Sequence, residues 1–181
     1  VCPEAPAGYD APGVRVRLAR AADAARAAEI YNQGIEERSA TFETAPRSPE
    51  DMRRRIVEDP RRFPLLVAER DGAVAGWASL GPYRPRECYA GVAEVSIYIE
   101  RAARGHGVGK ALLTHVIAEA ASRGYWKLVS RIFPFNTVSR RLCWSCGFRE
   151  VGVYEKHAKL EGRWLDVVIV ERLIPENQRQ P

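Results

Sequence analysis

Apolar and polar residues alternate through Val14-Arg15-Val16-Arg17-Leu18, the signature of an edge strand. The spacing then changes to a helical one, with Ala27, Ile30, Tyr31 and Ile35 following Asp23 and the pattern ending near Arg38. Ser48-Pro49-Glu50-Asp51 is a helix start: a capping hydroxyl, proline in the first turn and acids that favour the positive end of the helix. Apolar runs at 63–69 and 73–80 flank Asp71-Gly72 and predict a β-hairpin. Ala93 to Ile99 reads as a further strand and Val108 to Ser122 as a helix with Val108, Leu112 and Val116 on one stripe, stopping at Gly124. A strand over 125–133, a helix over 137–146 and two strands, 148–157 and 163–173, around Gly162 complete the order. Taken alone, this periodicity predicts a mixed α/β sandwich. Residues 1–13 are rich in Pro, Ala and Gly without periodicity and are expected to form a flexible tail, leaving 14–175 as one domain and 176–181 as a second tail.

Composition narrows the class. With 181 residues, 46% hydrophobic and 28% charged, the chain can bury a substantial core, and no apolar run reaches the ~18 residues of a membrane span. The start, Val1-Cys2-Pro3-Glu4-Ala5-Pro6, lacks a basic and apolar leader pattern, so a cytoplasmic location is expected. The net charge of +5 raises the question of nucleic acid. Its densest cluster, arginines 53, 54, 55, 61 and 62, is interleaved with acids at 50, 51, 58 and 59 and reads as a solvated helix face. Acidic small molecules suit the charge better than nucleic acid or membrane. Cys143 and Cys146 form a C-x-x-C without a second pair, and His106, His115 and His157 are scattered; no metal is expected, and at least one of these cysteines is expected in the core.

The chemistry concentrates in Arg104-Gly105-His106-Gly107-Val108-Gly109-Lys110, between a strand and a helix. Glycines there let the backbone turn N–H groups toward an anion, the helix N-terminus adds positive potential, and Arg104 and Lys110 add charge. The spacing G-x-G-x-G disfavours a dinucleotide fingerprint, and Lys110 is followed by Ala111 rather than the Ser or Thr of a nucleotide-triphosphate loop. The pattern Arg/Gln-x-x-Gly-x-Gly, met by Arg104, Gly107 and Gly109 after a strand, resembles the acetyl-CoA pyrophosphate loop of the GCN5-related N-acetyltransferases. Downstream, Asn136 to Phe148 is similar to that superfamily's Asn-x-x-Ala/Ser helix closing in Gly-Phe. The resemblance covers roughly residues 14 to 174. It implies an α/β acetyltransferase fold: a mixed, mostly antiparallel sheet with splayed central strands flanked by about four helices. Acetyl-CoA as co-substrate is implied too, held by the 104–110 loop, by Asn136 and Ser139, and by main-chain groups of Ile97, Tyr98 and Ile99.

Further stretches narrow the resemblance. Ile30-Tyr31-Asn32 with Ser39 to Pro46, Tyr83 to Tyr89 leading into Glu94-Val95-Ser96-Ile97-Tyr98, and Gly162 to Val167 resemble the phosphinothricin N-acetyltransferases, most closely the branch linked with arsinothricin resistance. This implies acetylation of the α-amine of a small anionic amino-acid analogue, of the phosphinothricin, arsinothricin or methionine sulfoximine/sulfone type, by direct transfer in a homodimer, with antibiotic or herbicide resistance as the outcome. Guanidinium forks suit such anions, which points to Arg84 and Arg86, with Tyr31, Phe42, Glu43 and Tyr89 shaping the acceptor site. Alternation puts Glu94, Ser96 and Tyr98 on one strand face, and the family motif makes Glu94 the base that takes the acceptor's proton. Cys143 stands where the family has Tyr or His, and Leu165 where some members have His, so neither group is carried over. The alternatives are a peptide or protein N-terminal acetyltransferase of the same fold and a non-catalytic acetyl-CoA-binding protein.

Overall fold

In the computed structural model, which describes residues 10–178, one seven-stranded sheet runs in the order β1-β2-β3-β4-β5-β7-β6. Its strands are β1 (Val14–Leu18), β2 (Leu65–Arg70), β3 (Ala73–Pro82), β4 (Val92–Ile99), β5 (Lys127–Ile132), β6 (Arg149–Leu160) and β7 (Arg163–Leu173). The helices are α1 (Ala24–Glu36), α2 (Pro49–Val57), α3 (Val108–Ser122) and α4 (Thr137–Ser145). All pairings are antiparallel except β4 with β5, as the resemblance implied.

Local chemistry explains the boundaries. Ser48 Oγ accepts from the Asp51 N–H (3.1 Å) while Asp51 accepts from the Ser48 N–H (3.0 Å), and Pro49 opens α2, as the sequence predicts. This reciprocal cap, with Arg54 beside it, holds the Asp51 carboxyl down at about 2. The β2–β3 hairpin turns on Asp71-Gly72 with both residues at positive φ (53° and 79°), the geometry of the tight turn that matches strand twist. Short turns of 3-10 helix at Ala21–Asp23, Glu87–Tyr89, Arg101–Ala103 and Pro175–Asn177 carry no periodic signal and were not foreseen.

Two cores flank the sheet. On one face α3 buries Val108, Leu112 and Val116, the predicted stripe, against Leu80, Val95, Leu128 and Phe148. On the other, α1 and α2 bury Ala27, Ile30, Met52 and Ile56 around Trp77, whose indole N–H donates to the Ala27 carbonyl (3.1 Å).

The inner ends of both expected tails are packed. Ala11 is buried and its carbonyl accepts from the Val14 N–H, so 11–13 form a packed turn; residues 1–9 lie outside the described residues. At the other end the Asn177 amide donates to the carbonyls of Ala121 and Tyr125, which docks 176–178 on the domain, while 179–181 lie outside the described residues.

Candidate active site

The parallel pairing of β4 with β5 holds only at Val92, Ala93 and Glu94; beyond this the strands part, and the Ser130 hydroxyl on β5 donates to the Val95 carbonyl (2.9 Å) where they separate. The β5-facing backbone edge of Ser96 to Ile99 therefore has no ladder partner. A cavity of about 290 Å³ opens in this fork, lined by Ile97, Tyr98, Ile99, Arg104, Asn136 and Ser139 among others, so six of the residues expected to hold the cofactor share one wall system.

The glycine loop leads directly into α3. Gly107 is the residue before the first helical turn, at φ 81°, and Gly105 has φ 79°. A side chain at Gly107 would strain this left-handed conformation, from which the chain enters α3, whose first N–H groups have no acceptor within the helix. Gly109 serves packing instead: a Cβ there would lie 3.0 Å from a Leu142 methyl of α4. Val108 is buried, and the His106 Nδ1–H donates to the Arg104 carbonyl (2.8 Å), bracing the bend. Lys110 occupies the first turn of α3. Arg104 donates to the Ile99 carbonyl (3.3 Å) and pairs with Glu37 (3.0 Å). Asn136 caps α4 by accepting from the Ser139 N–H (3.1 Å), and its amide donates to the Ser39 carbonyl (3.0 Å), tying α4 to the loop between α1 and α2.

Glu94 stands at the fork, with both carboxylate oxygens taken by Arg131 of β5 (2.7 and 3.0 Å). Side-chain exposures of 29% for Glu94 and 43% for Arg131 leave this pair in solvent, where such contacts are worth roughly 0–1 kcal/mol and an incoming ammonium can compete. Tyr98 lies edge-on to Tyr31 (4.6 Å between centroids) and against Trp77, and burial pushes its phenol pKa up, so it stays neutral. Tyr31 shares a hydrogen bond with Thr41 (3.2 Å), and Phe42 packs edge-on against Phe133 (4.8 Å).

A second cavity, about 1040 Å³ and open, lies between α2 and β3 on the same sheet face as Glu94. Tyr31 and Glu43 line it, with Glu43 forked onto Arg47 (2.6 and 2.5 Å). Arg84, Arg86, Tyr89 and Phe42 line neither cavity; Arg84 lies over the rings of Tyr83 and Tyr89 (5.3 and 5.9 Å) on an exposed loop. The clamp expected of Arg84 and Arg86 thus rests on the reach of long side chains, not on a seat in a cavity.

Arginines 53, 54 and 55 are exposed, as a solvated face should be, and Arg53 and Arg54 pair with Glu50 and Asp51; Arg55, in the phase of Met52 and Ile56, also reaches back to the sheet and donates to Ser79 (2.7 Å). Arg131, Glu37 and Arg55 are the residues that sequence reasoning missed. Strand alternation gave Arg131 a face but not a neighbour, since β5 lies 33 positions beyond Glu94 in the chain.

Residues 28–148 match the Acetyltransferase (GNAT) family. The chain belongs to that family. Among its relatives, a phosphinothricin N-acetyltransferase of Alcaligenes faecalis is 36% identical over 87% of this chain and 81% of its own. An L-methionine sulfoximine/L-methionine sulfone acetyltransferase of Salmonella typhimurium is 32% identical over 90% and 95%. The crystal structure of a phosphinothricin acetyltransferase from Sinorhizobium meliloti in complex with acetyl-CoA superposes with a TM-score of 0.84 at 32% identity, covering 90% of this chain and 89% of that one. The protein is an acetyltransferase that uses acetyl-CoA, and the fork and glycine loop fit that co-substrate.

Cys143 and Cys146 are both free and buried. Burial pushes the Cys143 thiol up to about 12, which removes its value as a thiolate and leaves it a small apolar group. Cys143→Ala and Cys143→Ser are therefore expected to keep most of wild-type turnover; a large loss in the alanine variant that serine restores would show a proton-donating role instead. Among the described residues no three His, Cys, Asp or Glu side chains gather as a metal site, and no helix is long and apolar enough to cross a membrane.

Proposed function

We propose that the protein acetylates the α-amine of a small anionic amino-acid analogue of the phosphinothricin, arsinothricin or methionine sulfoximine/sulfone type, conferring resistance to such compounds. The observation that carries this reading is Glu94 at the last β4–β5 pair, where the fork begins, and opposite Gly81, which lines the open cavity. The glycine loop binds the pyrophosphate, and the unpaired edge of Ile97 to Ile99 takes the pantetheine arm as an added strand would be taken. Glu94 removes the acceptor's proton, directly or through water. The amine nitrogen then attacks the thioester carbonyl, main-chain N–H groups near Ile97 stabilise the resulting oxyanion, and the C–S bond breaks to release the thiolate as the nitrogen gives up its second proton to water. That thiolate is stable enough near neutral pH to leave without an obligatory acid, since an ordinary thiol has a pKa of about 8.5.

Arg84 and Arg86 draw the anion toward the entrance in this scheme. A homodimer is supported by β6, a sheet edge that exposes Val151, Val153 and Tyr154; the mass of a single chain in light scattering would overturn it. A cytoplasmic setting agrees with the free thiols of Cys88, Cys143 and Cys146.

The test is a panel of acceptors scored by coenzyme A thiol release: phosphinothricin, arsinothricin, methionine sulfoximine, methionine sulfone and a peptide with a free N-terminus. Turnover of the free amino-acid analogues well above the peptide is expected. Preference for the peptide would support an N-terminal acetyltransferase, and release with none would overturn the reading.

A further inference from the structure

Arg55 differs from the arginines that carboxylates hold elsewhere in the fold. Arg17, Arg26, Arg38, Arg47, Arg101 and Arg140 all have their pKa raised by carboxylate partners. For Arg55 the direction is reversed, because its guanidinium is partly desolvated where it packs against Ser79 and Trp77, although the residue as a whole is exposed, and among the described residues no carboxylate pairs with it. Its one hydrogen bond is to the hydroxyl of buried Ser79, and its guanidinium lies over the Trp77 ring, 5.7 Å from the centroid. The acids nearest on the cavity wall are already engaged, Glu43 by Arg47 and Asp51 by Arg54 and Ser48, while Glu58 and Asp59 lie past the end of α2. A cation held by a neutral hydroxyl and a ring has fork donors left for an anion.

The sheet register fixes where that anion would lie. Ser79 stands opposite Ser96 and Gly81 opposite Glu94, so all four residues share a short stretch of the β3–β4 ladder. Side chains directly opposite are roughly 5 Å apart, and positions two apart on a strand roughly 7 Å. Arg55 and Glu94 therefore bracket a distance that a single amino acid spans, with Gly81 leaving the floor between them low. We propose that Arg55 is a specificity-determining residue of the acceptor site, binding a carboxylate or tetrahedral oxyanion of the amino-acid analogue while its amine lies at Glu94. The proposal rests on the functional reading above and adds to it the group that holds the acceptor's negative charge.

The test compares wild type, Arg55→Met and Arg55→Lys with saturating acetyl-CoA on phosphinothricin, whose head is an anion, and methionine sulfone, whose head is neutral. Arg55→Met should raise the acceptor KM about tenfold to hundredfold, the loss of a hydrogen-bonded charged contact, with kcat falling less and the KM for acetyl-CoA unmoved. Arg55→Lys should restore part of it, since the charge remains and the fork is lost. A rise for both acceptors assigns the α-carboxylate, and a rise for phosphinothricin alone assigns the head. Unchanged KM for both, or an equal rise for acetyl-CoA in variants with wild-type melting profiles, overturns the proposal. If wild type turns over neither acceptor, the functional reading fails on its own, and calorimetric titration of phosphinothricin then decides: binding to wild type lost in Arg55→Met supports the anion site, and equal or absent binding overturns it.

Discussion

Gly107→Val should raise the acetyl-CoA dissociation constant by about a hundredfold or more while the domain still folds. Two effects combine. A β-branched residue at φ 81° costs roughly 1–2 kcal/mol or more, so the loop shifts to relieve it, and the shift displaces the N–H groups that open α3. Losing even two hydrogen bonds to a charged phosphate at roughly 1.5 kcal/mol each accounts for the hundredfold. Isothermal titration of acetyl-CoA reads the effect directly, with a melting curve to confirm folding. An unchanged affinity in a folded variant would remove the loop from the cofactor site.

Glu94→Gln should lower kcat by roughly a hundredfold, the typical worth of a general base, with little change in the KM for acetyl-CoA. The glutamine keeps the shape and one acceptor oxygen for Arg131 but has no basic charge. Arg131 holds the same two oxygens that the acceptor's ammonium would approach, so the kinetic constants divide the roles: a fall in kcat reads lost proton removal, and a rise in acceptor KM reads lost attraction. Turnover equal to wild type across the pH range would relocate the base, with bulk water as the remaining candidate.

The strands, the helices and the glycine loop were legible in the chain because each rests on local chemistry. Period-two alternation marks β1, the Ser48-Pro49 start marks α2, and Asp71-Gly72 marks its hairpin. What joined them was not legible. Nothing local to Glu94 announces Arg131, and nothing in a run of three arginines says that the third reaches back to the sheet; that follows from the phase of α2 against the sheet, which Met52 and Ile56 fix only once the partner face is known. The parting of β4 from β5 was visible only through family resemblance, since both segments read as ordinary strands. The packing of the tails' inner ends was not legible for a related reason: Ala11 is buried and Asn177 is held by Ala121 and Tyr125, far away in the sequence, which composition does not report.

The order in which the strands join the sheet sets the order in which the site can be completed during synthesis. β5 forms one wall of the fork, yet among the described residues its outer edge is covered by β7, the last of the described strands. Until residues 163–173 emerge, β5 holds to the sheet by three parallel pairs and the helices beside it. A nascent chain halted after α4 thus has its glycine loop and its base in hand but no firm second wall to the active site. Long-range pairing of this kind closes late and slowly. A shortened chain that loses the final strand would lose the site from the far side of the sheet, without a single catalytic residue having been removed.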